Sequence, residues 1–229
     1  MINAANTFVK HRRKVDKVFL HCTAYAGRDL FGNRLIDAIN GWHQQRAFTQ
    51  IGYHYVIDLK GQLMNGRPLE HIPAAQYGHN SRSIAICLDG LFKDDFTTEE
   101  YNTLYPLCLE IDRAYRGEVT FHGHCEVSNK TCPVFDYKRI LGLDDRGYMA
   151  IQEDSQETIT RKNLSLTCMG EDVRFLQKRL KDFGIELKVD GVFGRETYNA
   201  VCVFQKRYDL LPDGIVGPIT WNMLMKGVI

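Results

Sequence analysis

The chain has 229 residues, enough for one medium domain and a small second one, and 44% of them are apolar, an ordinary share for a protein that buries its own core. Its 29 basic and 28 acidic residues leave a formal net charge of +1, which excludes a whole-protein field that would recruit nucleic acid or an anionic membrane. Seven cysteines, an odd number in a chain too large to need stapling, argue against a disulfide framework and for reduced thiols.

The opening segment, residues 1–20, holds no apolar run of secretory length, and no later segment approaches a membrane span. A product made in the cytoplasm without a signal peptide, and with no membrane insertion, is therefore expected. The basic cluster KHRRKVDK reads as a solvated lead-in to a strand. KVFLHCTAY is then a short buried strand ending at His21, and NRLIDAINGWHQQRA an amphipathic helix with Leu35, Ile36, Ile39 and Trp42 at helical spacing. GYHYVIDLKGQLMNGR reads as two strands joined by a turn at Lys60 and Gly61. SIAICL is a continuous apolar run, the pattern of a central strand covered on both faces.

Thr97 and Glu100 form a capping box that starts a helix carrying Tyr101, Leu104, Cys108 and Ile111 on one stripe, with a kink expected at Pro106. EVTFHGH supplies a further strand. Strands alternating with helices predict an α/β domain with a mixed central sheet flanked by helices, spanning 13–142. From 143 to 164 the chain turns polar without sustained periodicity and reads as a linker. Beyond it, DGVFGRETYNAV from Asp190 and DGIVGPITWNML from Asp213 repeat one pattern at an offset of 23 residues. Each copy is a tight Asp-Gly turn entering a helix, and a helix with Val173, Leu176, Leu180 and Phe183 on one face precedes them, ending near Gly184. Residues 165–229 are thus a small three-helix domain.

The stretch HGHCEVSNKTCP, residues 122–133, concentrates the chemistry. Alternation on a strand prevents His21 and Cys22 from sharing one site, and likewise His124 and Cys125, whereas His122 and His124 can share a face. The spacing alone leaves the choice between those two open. For His11, His43, His54, His71 and His79 a satisfied polar role is the default. A thiolate combined with neutral imidazoles is a zinc-preferring set, and three protein ligands leave the fourth tetrahedral position open, as in catalytic sites.

HCTA, WH, IGYHYVID, NSRSIAICLDG and HCEVSNKTCPVFD, in this order over most of residues 15–140, resemble the zinc-dependent N-acetylmuramoyl-L-alanine amidases that include phage lysis amidases and peptidoglycan recognition proteins. The resemblance implies Zn2+ held by His21, His124 and Cys132, since the family's second histidine stands eight positions before the cysteine. It also implies that Tyr53 and Lys130 stabilise the oxyanion formed when water attacks an amide. One departure is Ala75, which stands in PAAQYGHN where the family commonly has a histidine. The C-terminal segment, through DVRFLQKRL and the two Asp-Gly repeats, resembles a peptidoglycan-binding domain.

Both resemblances imply bacterial peptidoglycan as partner and substrate, cut at the bond between N-acetylmuramic acid and L-alanine. They imply a phage endolysin or an antibacterial effector that reaches the periplasmic cell wall after release or export. A nucleobase deaminase would use His124 and Glu126 as its His-x-Glu element, but the required Pro-Cys-x-x-Cys does not follow. A recognition protein that binds without cutting would be signalled by loss of the cysteine ligand, and Cys132 is present.

Overall fold

The computed structural model describes residues 8–149, 161–208 and 210–225. It divides at residues 150/151 into two compact units. The polar stretch expected as a linker lies, for 150–160, outside the described residues. Its first part, 143–149, is a turn closed by a bridge between Leu143 and Met149, and Gly147 accepts a hydrogen bond from the Phe121 amide at 2.8 Å.

The first unit is built on five strands: β1 (Lys17–Cys22), β2 (Tyr55–Ile57), β3 (Leu63–Asn65), β4 (Ser83–Leu88) and β5 (Thr120–Gly123). Their order across the sheet is β3-β2-β4-β1-β5, with β3 antiparallel at one edge and every other pairing parallel. Parallel strands are covered on both faces. Accordingly all six residues of β4 and the last five of β1 are buried. Helices α1 (Asn33–Gln44), α2 (Thr98–Ala114) and α3 (Tyr137–Leu141) flank the sheet. In α1, Leu35 and Ile39 are fully covered, packing in one cluster with Ile51, Val56 and Cys87.

Local chemistry explains the boundaries. The α2 amino terminus is the expected capping box: Glu100 donates its amide to Thr97 Oγ1 at 3.2 Å, and Thr97 donates its own to Glu100 Oε2 at 2.9 Å. Pro106 sits within this helix as one of its buried residues. The turn after β2 is held by Asp58, whose carboxylate accepts from the amides of Lys60, Gln62 and Gly32. Gly61 at that turn has φ +73, and a side chain there would meet Glu99 O at 2.5 Å.

Two sequence readings need correction. The basic lead-in is not simply solvated: Arg13 donates to Leu69 O at 3.0 Å and Ser83 O at 2.7 Å, tying the segment to a loop and to the start of β4. The strand expected through His124 stops at Gly123, and His124–Glu126 is a 3-10 turn.

The second unit contains α4 (Glu171–Asp182), α5 (Arg195–Arg207) and α6 (Pro218–Met225) around a core that includes Val173, Leu176, Phe193, Phe204 and Trp221. The sequence repeat has a structural cause. Buried Gln177 of α4 donates to Asp190 Oδ1, Val192 O and Thr197 Oγ1 and accepts from the Gly191 amide. Buried Gln205 of α5 makes the same four bonds with Asp213, Ile215, Thr220 and Gly214. A glutamine from the preceding helix thus locks each Asp-Gly turn, and the glycines adopt φ of +76 and +71.

Replacing Gln205 by Leu leaves the Gly214 amide without its acceptor, at a cost of about 1–3 kcal/mol. Hydrogen exchange on the full chain should then show reduced protection at Gly214; unchanged exchange would mean that the turn holds itself.

Candidate metal centre and its cleft

β1 delivers His21 at its carboxyl end, and the parallel register Leu20↔Gly123 places the turn that opens with His124 beside it. Glycine is required at 123, because a Cβ there would lie 2.6 Å from the Tyr137 ring and 2.9 Å from Pro133. The returning chain then brings Cys132 under the same edge, where its Sγ accepts the Cys22 amide at 3.2 Å. The ligand atoms of His21, His124 and Cys132 all lie within 4.8 Å of one another. His21 Nδ1 stands 3.9 Å from Cys132 Sγ, and the two imidazole centroids are 4.6 Å apart. Donors around a tetrahedral zinc-type ion, with bonds of about 2.0–2.3 Å, are separated by roughly 3.3–3.8 Å, so two imidazoles and a thiol at these spacings fit such an ion.

The other ring nitrogen of His21, Nε2, faces Gln76 Oε1 at 3.1 Å. Gln76 is fully buried and donates to Ser83 Oγ at 2.7 Å, which donates in turn to Asn80 O. This chain fixes Nε2 as the protonated nitrogen and leaves the Nδ1 lone pair directed at the cluster. Ala75 lies beside it, its amide and that of Gln76 both donating to Asn80 Oδ1. Nothing in sequence periodicity singles out Gln76; the polar run PAAQYGHN hides it among loop residues.

His122 is not part of the cluster. Its Nδ1 pairs with Glu126 at 2.7 Å, its Nε2 with Thr120 Oγ1 at 2.8 Å, and its ring lies over Phe19. The remaining histidines have structural partners: His43 Nδ1 accepts the Gly52 amide, His54 Nδ1 accepts the Ala85 amide, and His11 pairs with Glu70. Tyr53 packs its ring on His21 at 5.1 Å and on His43 at 5.2 Å. Lys130 is exposed, and its charge acts on both His21 and His124.

Burial sets the protonation states. It pushes His21 down to about 3, reinforced by the His124 and Lys130 charges, so the imidazole is neutral. Burial and then Lys130 lower His124 as well. The hydrogen bond with the Cys22 thiol, followed by burial, raises Cys132, so ligation by this sulfur requires a cation to displace the proton. Tyr53 is held well above the usual phenol range by burial and by the neighbouring thiols, and remains an O–H donor. A cleft of about 260 Å³ adjoins the cluster, lined by Thr23, Tyr25, Trp42, His43, Arg46 and Tyr53 among others.

Residues 11–135 match the N-acetylmuramoyl-L-alanine amidase family and residues 169–224 match a peptidoglycan binding domain. The first match spans more than half of the chain, which therefore belongs to the N-acetylmuramoyl-L-alanine amidase family and carries a peptidoglycan binding domain after its amidase domain. It is 32% identical over 136 residues to the endolysin of Escherichia phage T7, covering 57% of this chain and 87% of that one. It is also similar to part of the spore cortex-lytic enzyme of Bacillus cereus, at 42% identity over 78 residues, or 34% of this chain and 30% of that enzyme. In fold, the chain resembles the endolysin of Thermus scotoductus bacteriophage Ph2119, with a TM-score of 0.51 and 22% identity over 60% of this chain and 89% of that one. Among the described residues no helix is long and apolar enough to cross a membrane.

Proposed function

We propose that the chain is a zinc-dependent amidase that hydrolyses the bond between the lactyl group of N-acetylmuramic acid and L-alanine in bacterial peptidoglycan, acting on the cell wall as a phage endolysin. The observation that carries this reading is the convergence of His21, His124 and Cys132 in a chain of the amidase family. These three residues would hold the ion. Residues 13–142 would form the catalytic domain and 165–229 the wall-binding domain, joined through 143–164.

When bound, zinc supplies a Lewis acid that polarises the amide carbonyl and makes water nucleophilic near neutral pH. The chain's own residues supply the rest. Tyr53, kept protonated by burial, would donate its hydroxyl hydrogen to the carbonyl oxygen as negative charge develops there. Lys130 adds a positive charge at the rim, where it favours the same oxyanion and stays in reach of solvent for proton exchange. Gln76 holds the His21 ring in one orientation. The second domain raises the local concentration of wall polymer at the site by tethering.

Three outcomes are expected. His124→Ala should lose bound zinc while His122→Ala retains most of it; equal loss in both, read by metal analysis, would remove the distinction between them. Gln76→Leu should fold but bind zinc about ten- to a hundredfold more weakly in a chelator competition, because the ring loses its orienting partner. On purified peptidoglycan the protein should release stem peptides with L-alanine amino termini and no new reducing sugar ends, and a chelator should abolish this. New reducing ends would make it a glycosidase, and wall binding without any product a recognition protein.

A further inference from the structure

The cleft beside the ligand cluster is walled by three segments: Thr23 and Tyr25 after β1, Trp42, His43 and Arg46 at the end of α1 and just beyond, and Tyr53 before β2. Four aromatic rings, of Tyr25, Trp42, His43 and Tyr53, line the wall. Tyr25 packs on Trp42 with centroids 5.1 Å apart, and His43 packs on Tyr53, which packs on His21. The cleft therefore reaches the candidate ligands through Tyr53, whose ring lines it and packs on His21. Several of its polar groups are already engaged: Thr23 Oγ1 donates to Asp89 at 2.7 Å, the Tyr25 hydroxyl to Asp29 at 3.0 Å, and His43 Nδ1 accepts from Gly52.

Arg46 differs. It is exposed, and no carboxylate among the described residues pairs with it. Its guanidinium stands 5.9 Å from the Phe48 ring centroid, and its charge reaches His43, whose pKa it lowers after burial has done so. An uncompensated guanidinium at the end of an aromatic cleft selects a carboxylate attached to a peptide, because its planar fork matches a carboxylate in a bidentate pair while the aromatic wall accepts the apolar and amide surface.

Reach identifies which carboxylate. From His21 the path to His43 takes two ring steps, of 5.1 and 5.2 Å, and Arg46 lies just past His43. An extended chain covers about 3.3–3.6 Å per residue. A peptide whose scissile carbonyl sits at the ligand cluster thus places the next one to three residues along the cleft. In a stem of the form L-alanyl-γ-D-glutamyl, the first free carboxylate is the glutamyl α-carboxylate. We propose that Arg46 binds this carboxylate, so that the protein discriminates stems with a free α-carboxylate from stems in which it is amidated. The inference rests on the amidase reading above and adds to it a specificity-determining residue.

The test is a two-by-two comparison on the full chain with its metal. The substrates are N-acetylmuramoyl-L-alanyl-γ-D-glutamyl-L-lysine and the same compound with the glutamyl α-carboxamide; the proteins are the wild type and Arg46→Gln. The wild type should cut the carboxylate form with a kcat/KM about five- to fiftyfold higher, the range for one hydrogen-bonded charge pair at a partly open site. Arg46→Gln should cut both forms at the rate the wild type shows on the amide, and Arg46→Lys should recover part of the preference. Added salt should shrink the wild-type preference. Equal rates for the wild type on both forms, or an undiminished preference in Arg46→Gln, would overturn the assignment while leaving the amidase reading in place. If the wild type cuts neither form, the amidase reading fails. Calorimetric binding of the two stem peptides without sugar then decides the subsite alone: tighter binding of the carboxylate that depends on Arg46 supports it, and equal binding overturns it.

Discussion

Parallel pairing of β1 with β4 on one side and β5 on the other is the constraint on which the candidate site depends. A parallel pair sets the carboxyl ends of two strands at one edge of the sheet however far apart they lie in the chain. Here that edge collects His21 from β1, His124 from the turn after β5, and, through a return that only glycine at 123 leaves room for, Cys132. A one-residue slip of β5 against β1 would move His124 away from His21 and turn its ring to the other face. The fully covered residues of β1 and β4 oppose such a slip, because any other register exposes them.

The same burial that fixes the register prepares the side chains chemically. Imidazoles removed from water stay neutral and so keep a lone pair for a cation, while a phenol removed from water stays protonated and so keeps a hydrogen to donate. Acceptors and donors are thereby assigned before any ligand arrives. The exposed Lys130 at the rim provides positive charge without a desolvation cost, and the Gln76 to Ser83 chain removes the rotational freedom that His21 would otherwise lose on ligation.

Much of this was legible in the sequence wherever the signal is local. Apolar runs identified β1 and β4, the Thr97 and Glu100 spacing identified the start of α2, and the duplicated Asp-Gly segments identified the second unit. Residues such as Gln76 were not legible, because its role depends on a hydrogen bond to a side chain 55 positions away and glutamine in a polar loop carries no periodic mark. Arg13 was misread for the same reason: its carbonyl partners, in a loop and at the start of β4, lie 56 and 70 residues further along. The choice between His122 and His124 was beyond strand alternation, since the strand ends between them. Gln177 and Gln205 stand on the helix before each repeat copy and could have been found by asking what acceptor each Asp-Gly turn needs.

The second unit has one further property. Leu164, near its start, pairs with Val216 in the second Asp-Gly segment through hydrogen bonds in both directions, and Trp221, near its end, donates to Lys162 O at 3.2 Å. Entry and exit of the chain are therefore stitched together at one place. A unit whose two ends meet can be joined to an unrelated partner, or inserted within one, without threading through it or distorting its own core. In evolutionary terms such a unit is built as a transferable cassette.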